Sequence, residues 1–310
     1  MDLFAARGDP PASSQESSMT PPTAEQLVRN IEQLVALPDA CIRLNELIED
    51  PRSSVDDIAR VIIQDADLAA RLLRLANSAW YGQSGRIDTV SRAVTLLGTR
   101  ELADLALVTA SCDLFRGIPA DLFDMARFWH YSVATGVIAR NMARHAGVLQ
   151  PERLFVIGVL HDLGRLVILQ HLTTQAREIL LLARGRHELL AQSEREVLGY
   201  DHAEIGFELV RRWGLPLSIQ TCLRYHHQPL EALEYRLECA QLHIAQALAG
   251  DLLWGDNDPA VASRVDPAVW ELSGLSPEHA LAIRSDTGGQ VMELFSLLMG
   301  QGRRAGAGSG

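Results

Sequence analysis

The chain has 310 residues, of which 47% are hydrophobic and 5% aromatic; this is enough apolar material for one large or two modest folded domains, and it excludes disorder throughout. Its 28 basic and 39 acidic residues give a net charge of −11 at pH 7, which argues against a general nucleic-acid binder because phosphates would repel the chain as a whole. Every basic residue is arginine, which excludes Schiff-base chemistry, a catalytic lysine and the lysine-dependent phosphate-binding loop.

The cysteines and the apolar runs favour a cytoplasmic protein. The four cysteines are far apart and form no CxxC pair, which is typical of a reducing compartment. The longest apolar run, residues 154–160, is much shorter than the roughly 20 residues that span a bilayer, and the N-terminus has no basic segment followed by an apolar one. We therefore expect a soluble, unexported protein with no membrane partner.

Between two tails, the chain is predicted to be all-α. Residues 1–24 are rich in Pro and Ser and read as a disordered tail, and the Gly-rich residues 301–310 read as a flexible one. In between, apolar residues recur at helical spacing, and no alternating strand pattern appears. We place a domain boundary at the Gly-Pro break of residues 117–119. The predicted organisation is an N-terminal helical lobe (25–118), a second lobe (119–250) and a C-terminal helical extension (251–300).

The second lobe is predicted to contain helices over residues 122–145 and 154–160 and a third that begins at Asp201 with a capping-box pattern and ends at Gly214. A closing helix over residues 289–299 is expected to pack on this lobe and to carry no chemistry. Its packing residues are predicted to be Val291, Leu294, Phe295 and Leu298.

Several residues of the second lobe occupy positions from which they could converge on one site. His161 is followed by Asp162 directly after seven apolar residues, where an ionisable pair is costly to bury without a partner or a metal. Imidazole and carboxylate together suit a divalent Mn, Fe, Zn or Ni ion. The other candidate histidines are His130, His202, His226 and His227.

Each of these histidines also has a structural interpretation. His130, beside two aromatic residues, could be a hydrogen-bonded core histidine, and His202 could face solvent beside its helix cap. His226 and His227 could be stabilised by the dipole at a helix C-terminus. The histidines in polar contexts are expected at the surface: His145, His171, His187 and His279.

The histidine set resembles that of the HD superfamily of metal-dependent phosphohydrolases, and the N-terminal half resembles a narrower group. The segments Leu-Pro at 37–38, Asp-Ala-Asp-Leu at 65–68, Leu-Leu-Arg-Leu-Ala-Asn-Ser at 72–78 and Leu-Leu-Gly at 96–98 are similar to the HDOD family, the HD-related output domain of bacterial signalling proteins. The resemblance covers about residues 25–250. It implies a two-lobed, multi-helix fold with an HD-like C-terminal lobe. Ala66 stands where the family usually has Pro.

The resemblance implies a ligand set and also shows departures from it. His130 corresponds to the first HD histidine, His161-Asp162 to the doublet, and His202, His226 and His227 to ligands added in HD-GYP enzymes. Gln246 stands where the superfamily has its last aspartate, and a neutral amide oxygen binds a divalent cation more weakly than a carboxylate does. His243, three residues before Gln246, is only a weak candidate to replace the missing aspartate as a ligand. Arg165 replaces the HD-GYP lysine, and no Gly-Tyr-Pro follows His227.

The first lobe offers one candidate partner surface. Trp80 and Tyr81 follow the Asn-Ser segment, and exposed aromatic residues are common anchors of protein interfaces. The alternative, which we favour, is that both rings pack the lobe against its neighbour and that Asn77-Ser78 only end a helix.

Two functions follow from the resemblance. The first is a non-catalytic regulatory protein whose degenerate HD pocket holds a metal, a ligand or nothing, and which acts on a signalling partner such as a GGDEF or kinase-type protein. The second is a metal-dependent phosphohydrolase of cyclic dinucleotides or other nucleotides, in which the histidines hold one or two metals, Asp162 bridges them and Arg165 steadies the phosphate.

Overall fold

The computed structural model describes residues 22–82, 85–254 and 259–299, and the regular elements within these ranges are all helical. The predicted all-α class is therefore confirmed. Of the two predicted tails, residues 1–21 and 301–310 lie outside the described residues. The first helix begins at Ala24, which is buried, and Thr23 caps it.

Short turns with side-chain caps join the helices of the first lobe. Ser54 and Asp57 form a capping box, and Asp65 accepts the Leu68 N–H at the start of the next helix, so Ala66 begins that helix without a proline. The helices are α1 (Ala24–Asn30), α2 (Asp39–Glu49), α3 (Val55–Ile63), α4 (Ala66–Ala76), α5 (Val90–Leu97) and α6 (Thr99–Leu114).

The end of α4 has a structural role. The Asn77 side chain donates to the Ile87 carbonyl and accepts from the Ile87 N–H, each at 2.7 Å. It therefore connects the end of α4 to the segment that leads into α5. This agrees with the favoured interpretation that Asn77 and Ser78 have a structural role at the end of the helix.

The second lobe is built on a close pair of helices. A Cβ atom on Gly158 would lie 2.5 Å from Gly136 Cα, so only glycine allows the two backbones to approach this closely. The helices are α7 (Met125–His145), α8 (Pro151–Leu160), α9 (Leu163–His171), α10 (Thr173–Ala183), α11 (Leu190–Leu198), α12 (His202–Arg212), α13 (Leu217–Tyr225) and α14 (Arg236–Trp254).

The C-terminal extension packs on both lobes. Its helices are α15 (Pro267–Ser273), α16 (Pro277–Asp286) and α17 (Gly288–Met299), and a buried ion pair of 2.8 Å between Arg284 and Asp251 fastens α16 to α14. Helix α17 contacts α7, as expected, and also reaches α4 and α6 of the first lobe. Its Val291, Leu294 and Leu298 are buried, and Phe295 is half-buried.

The interpretation of Trp80 as an exposed anchor is wrong. Only 7% of Trp80 is exposed: its ring lies 5.4 Å from that of Phe155 on α8, and the Arg140 guanidinium lies 3.8 Å from its centroid. The half-buried Tyr81 donates its hydroxyl hydrogen to Glu101 at 2.6 Å. Burying a large aromatic ring between the two lobes is more favourable than leaving it exposed to water. Trp80 therefore packs the first lobe against the second.

One segment of the described chain, Pro151–His171, is long and apolar enough to cross a membrane by length and composition alone. Most of its apolar window, 89%, is buried inside the protein. This segment is the pair α8 and α9, which forms the centre of the second lobe.

Candidate metal centre

Two polar residues interrupt the core between α8 and α9. His161 and Asp162 are 0% and 1% exposed. The Gly158 carbonyl accepts a hydrogen bond from Nδ1 of His161 at 2.7 Å, which leaves Nε2 as the acceptor of the ring. Within the described residues that Nε2 is buried and has no hydrogen-bond partner. Because such an atom is costly to bury, its position indicates a ligand site.

Asp162 is the centre of the cluster. Its Oδ1 lies 2.9 Å from Nε2 of His202 and 3.4 Å from Nε2 of His161. The Nε2 atom of His226 is 3.8 Å away from the same oxygen. One carboxylate oxygen thus faces three imidazole nitrogens that come from three different parts of the chain.

His226 and His227 complete the group from the end of α13. His226 donates from Nδ1 to the Leu223 carbonyl at 2.7 Å, so its Nε2 also faces inward. The Nε2 of His202 lies 3.3 Å from that of His226 and 3.0 Å from that of His227. The structure therefore brings together four of the five predicted histidine ligands and Asp162.

These separations fit a single divalent cation. Imidazole nitrogens about 2.1 Å from a common ion are about 3.0 Å apart at right angles and about 3.4 Å apart in a tetrahedron. The separations around His202 and Asp162 span 2.9 to 3.4 Å, apart from the longer one to His226. Fixing Nδ1 on a carbonyl or carboxylate is how proteins orient ligand histidines. A cation held here would act as a Lewis acid toward a phosphate or a water molecule.

Arg165 fills the other side of Asp162. Arg165 is 4% exposed; its Nη1 donates to Oδ2 of Asp162 at 2.6 Å, and its Nε donates to Oε1 of Glu194 at 3.3 Å. The Arg165 side chain also lies against the His202 ring, 3.2 Å from its Nδ1. Each carboxylate therefore has a permanent cation beside it.

Glu194 on α11 also belongs to the cluster, although it is not among the residues predicted from the sequence. It is 1% exposed and accepts from the backbone N–H of His202 at 2.9 Å, and its Oε2 lies 2.5 Å from Nδ1 of the same histidine. A sequence signal for it exists, because Glu194 stands midway between Leu190 and Leu198 on the apolar stripe of α11. A glutamate in such a stripe must have a partner in the core.

His187 does not lie at the surface, as its polar sequence context predicted. Only 19% of its side chain is exposed; the ring stacks on Trp254 with centroids 4.2 Å apart, and its Nε2 is 3.0 Å from Nη1 of Arg165. His145 and His279 are exposed, as expected, and His171 is half-buried.

His130 does not join the cluster, which corrects its predicted place as the first ligand. Its half-buried ring packs against Phe295 of α17 at 5.1 Å. The neighbouring Tyr131 faces the site instead, 5.3 Å from the His161 ring and 4.6 Å from the His187 ring. Successive helical residues point about 100° apart, so only one of the two can face Asp162.

Gln246 and His243 lie next to the cluster and line the same cavity, and both side chains contact the backbone of His226. Nε2 of Gln246 and Nδ1 of His243 lie 2.9 and 2.8 Å from the same acceptor, the carbonyl oxygen of His226. The Gln246 amide thus holds the turn that carries two histidines, a task that a carboxylate in its place could not perform.

The charges of the buried groups balance without further ions. Burial opposes the charged form of Asp162, but Arg165, His161 and His202 outweigh it and hold the pKa of Asp162 well below its usual value. Burial also lowers the pKa of His202, but Glu194 and Asp162 outweigh it and raise that pKa to about 9. At neutral pH, Arg165 and protonated His202 therefore offset the two carboxylates. A cation that binds Nε2 of His202 must displace this proton.

The raised pKa of His202 predicts a pH-dependent stability in the presence of a chelator. The stabilisation is complete below pH 6.5 and is lost as the pH rises toward about 9, because only the folded protein keeps the proton there. Urea unfolding should show a decrease on the order of 3 kcal/mol across this range. A His202→Gln variant has no such proton and should lose this part of the slope. Equal slopes in the two proteins would contradict the assignment.

A cavity of about 560 Å³ opens over the cluster and is a candidate ligand pocket. Asp162, Arg165 and His227 line it. Other lining residues, including Trp254 and Val261, come from α14 and from the following short helix over Pro259–Arg264. The cavity over the histidine cluster is therefore bounded by the end of α14 and the short helix that follows it.

Known proteins resemble this chain in sequence and in structure. A family model described as HDOD domain matches residues 34–229. A crystal structure from Shewanella amazonensis SB2B, provisionally named a phosphohydrolase, shares 28% identity at a TM-score of 0.72 and covers 89% of this chain and 98% of its own. An HDOD domain protein with unknown function from Geobacter sulfurreducens shares 26% identity at a TM-score of 0.71, with the same coverage.

A curated relative is longer than this chain. An uncharacterised protein of Treponema pallidum (strain Nichols) is 28% identical over 238 residues, which are 73% of this chain and 44% of the relative. The chain thus spans less than half the length of that protein.

Proposed function

The chain belongs to the HDOD domain family, and from this premise we propose that it is a regulatory protein of a bacterial signalling pathway whose HD-like site holds one divalent cation and does not hydrolyse phosphodiesters. In this proposal the bound cation stabilises the fold or makes the protein responsive to metal. The protein then acts by contacting a separate signalling protein, such as a GGDEF or kinase-type protein.

The observation that carries the proposal is the position of Arg165. A carboxylate that bridges two metals commonly gives one oxygen to each metal, but Oδ2 of Asp162 accepts from the Arg165 guanidinium at 2.6 Å. Only Oδ1 remains for a cation. A site with one cation stabilises the negative charge that develops in phosphoryl transfer less than a site with two cations does.

The role of Gln246 supports the same conclusion. In the HD superfamily an aspartate is expected at this position, and it would add a negative charge to the site. Here the amide donates to the His226 carbonyl and adds none. The set of ligands is therefore rich in nitrogen and poor in oxygen, which favours Zn, Ni or Fe over Mg.

A metal-dependent phosphohydrolase is the second candidate. The near-ideal separations of the imidazole nitrogens favour it, as does the provisional name of the Shewanella protein. In that case Arg165 would bind the phosphate of the substrate instead of replacing a metal.

An activity assay with a matched control distinguishes the two candidates. We expect no hydrolysis of cyclic dinucleotides or of a chromogenic phosphodiester with Mn²⁺, Fe²⁺ or Mg²⁺ above the level of a His161→Ala variant. Metal content, measured by elemental analysis of protein purified without chelator, should be one cation per chain. Turnover that is present in the unmodified protein and disappears in His161→Ala would establish the second candidate.

A further inference from the structure

We propose that the Arg165 guanidinium takes the place of a second divalent cation, and that Asp162, His187 and Glu194 form a latent second cation site around it. This inference rests on the proposed one-cation site and explains why that site holds only one.

The geometry around Nη1 of Arg165 is that of a bound cation. This atom lies 2.6 Å from Oδ2 of Asp162 and 3.0 Å from Nε2 of His187, and those two acceptors are 4.0 Å apart. Two ligands about 2.1 Å from one ion can be at most about 4.2 Å apart, so a metal ion could bind both without moving them. Glu194 lies on the same guanidinium, where its Oε1 accepts from Nε at 3.3 Å, and adds a second carboxylate beside this position.

His187 is held like a metal ligand. The segment before it reverses direction through two residues with positive φ, Arg184 at 51° and Gly185 at 74°. Its ring then stacks nearly parallel on Trp254, at 17°, and meets the edge of Tyr131 at 4.6 Å. These contacts aim Nε2 toward Asp162 and Arg165, the orientation that a ligand at this position requires.

A tethered guanidinium can replace an ion at this point for a chemical reason. Arg165 stands one helical turn after Asp162, so the helix itself places a positive charge beside the carboxylate. No metal ion has to be bound from solution to supply that charge. Its planar fork provides donors for Asp162, Glu194 and His187 at once. One oxygen of Asp162 thus faces a protein cation and the other faces the proposed metal.

Counting bound cations tests the inference without relying on activity. We expect one Mn²⁺ or Zn²⁺ per chain in the unmodified protein, two in Arg165→Ala, and one again in Arg165→Ala/His187→Ala. Guanidinium ion at low millimolar concentration should restore the count in Arg165→Ala to one, because it can occupy the vacated position. Methylammonium, which lacks the planar fork, is the matched control and should not restore it.

Arg165→Gln is the second variant, for use if Arg165→Ala does not fold. Glutamine removes the charge but fills most of the space, and we expect this variant also to bind two cations per chain. A folded Arg165→Gln or Arg165→Ala protein that still binds one cation would overturn the inference and leave the proposed function standing. Two cations in the unmodified protein would overturn both. Phosphodiester turnover with one bound cation would overturn only the proposed function.

Discussion

Replacing Gly164 with alanine is expected to destabilise the protein by about 3 kcal/mol or more and to abolish cation binding. A Cβ at this position would lie 2.0 Å from the His202 carbonyl oxygen and 2.7 Å from the Gly206 backbone nitrogen. Both are backbone atoms, so no side-chain rotation can relieve the clash. Helix α9 would have to separate from α12, and Asp162 would then move away from His202. Urea unfolding and calorimetric titration with Zn²⁺ measure the two effects.

Gly206→Ala is the matched control at the same helix crossing. A Cβ there meets nothing closer than 3.6 Å, which is ordinary contact. Since alanine favours a helix interior over glycine by up to about 1 kcal/mol, this variant should be neutral or slightly more stable and should bind the cation normally. If Gly164→Ala behaved like Gly206→Ala, the helices would not approach as closely as the structure has them.

The helices could be predicted from sequence because their signals are local. Asp201 was expected to begin a helix, and it caps α12 by accepting from the N–H groups of residues 203 and 204. Gly214 was expected to end it, and its φ of 66° is a value that glycine adopts freely. Such signals depend on a few neighbouring residues and need no knowledge of the rest of the fold.

The His161-Asp162 doublet was predictable for a similar reason. Seven apolar residues before it indicate a buried helix, and an ionisable pair at its end must be satisfied inside the core. Both residues are buried and lie at the centre of the cluster. Their function as ligands remains a prediction that the cation count tests.

The choice between His130 and Tyr131 could not be made from sequence. Both lie on α7, which is buried on most of its circumference, so no polar face marks its direction toward the site. Histidine is the more common metal ligand, so residue chemistry favours His130. In the structure, however, α7 packs with His130 against Phe295 of α17, and Tyr131 faces the site. When a helix has apolar residues on all sides, its sequence does not show which face points toward the site.

His187 was unpredictable because its role depends on contacts distant in sequence. It lies in a short polar connection between α10 and α11, and its stacking partner, Trp254, is at the end of α14. Trp80 illustrates the same difficulty, since its burial depends on Phe155 and Arg140 in the other lobe. Neither neighbour can be inferred from a local pattern.

Replacing Glu194 with alanine is expected to cost about 3 to 5 kcal/mol in the presence of chelator, the usual range when one partner of a buried ion pair is removed. Arg165 would then lose one of its two carboxylate partners, and the pKa of His202 would lose the larger of the two carboxylate contributions that raise it. The variant should also bind Zn²⁺ about 10- to 100-fold more weakly, because Nδ1 of His202 loses the acceptor that orients the ring. Urea unfolding and competition with a chelating dye give the two values.

Glu196→Ala is the control, because Glu196 is exposed on the same helix and its replacement should change stability by no more than about 0.5 kcal/mol. Glu194→Gln separates charge from hydrogen bonding: its amide oxygen can still accept from His202, so the ring orientation should survive while the charge is lost. If the orienting bond matters most, the glutamine variant will bind Zn²⁺ nearly as well as the unmodified protein. If it binds as weakly as Glu194→Ala, the negative charge is the decisive property. Unchanged stability and affinity in both variants would contradict a role for Glu194 in the site.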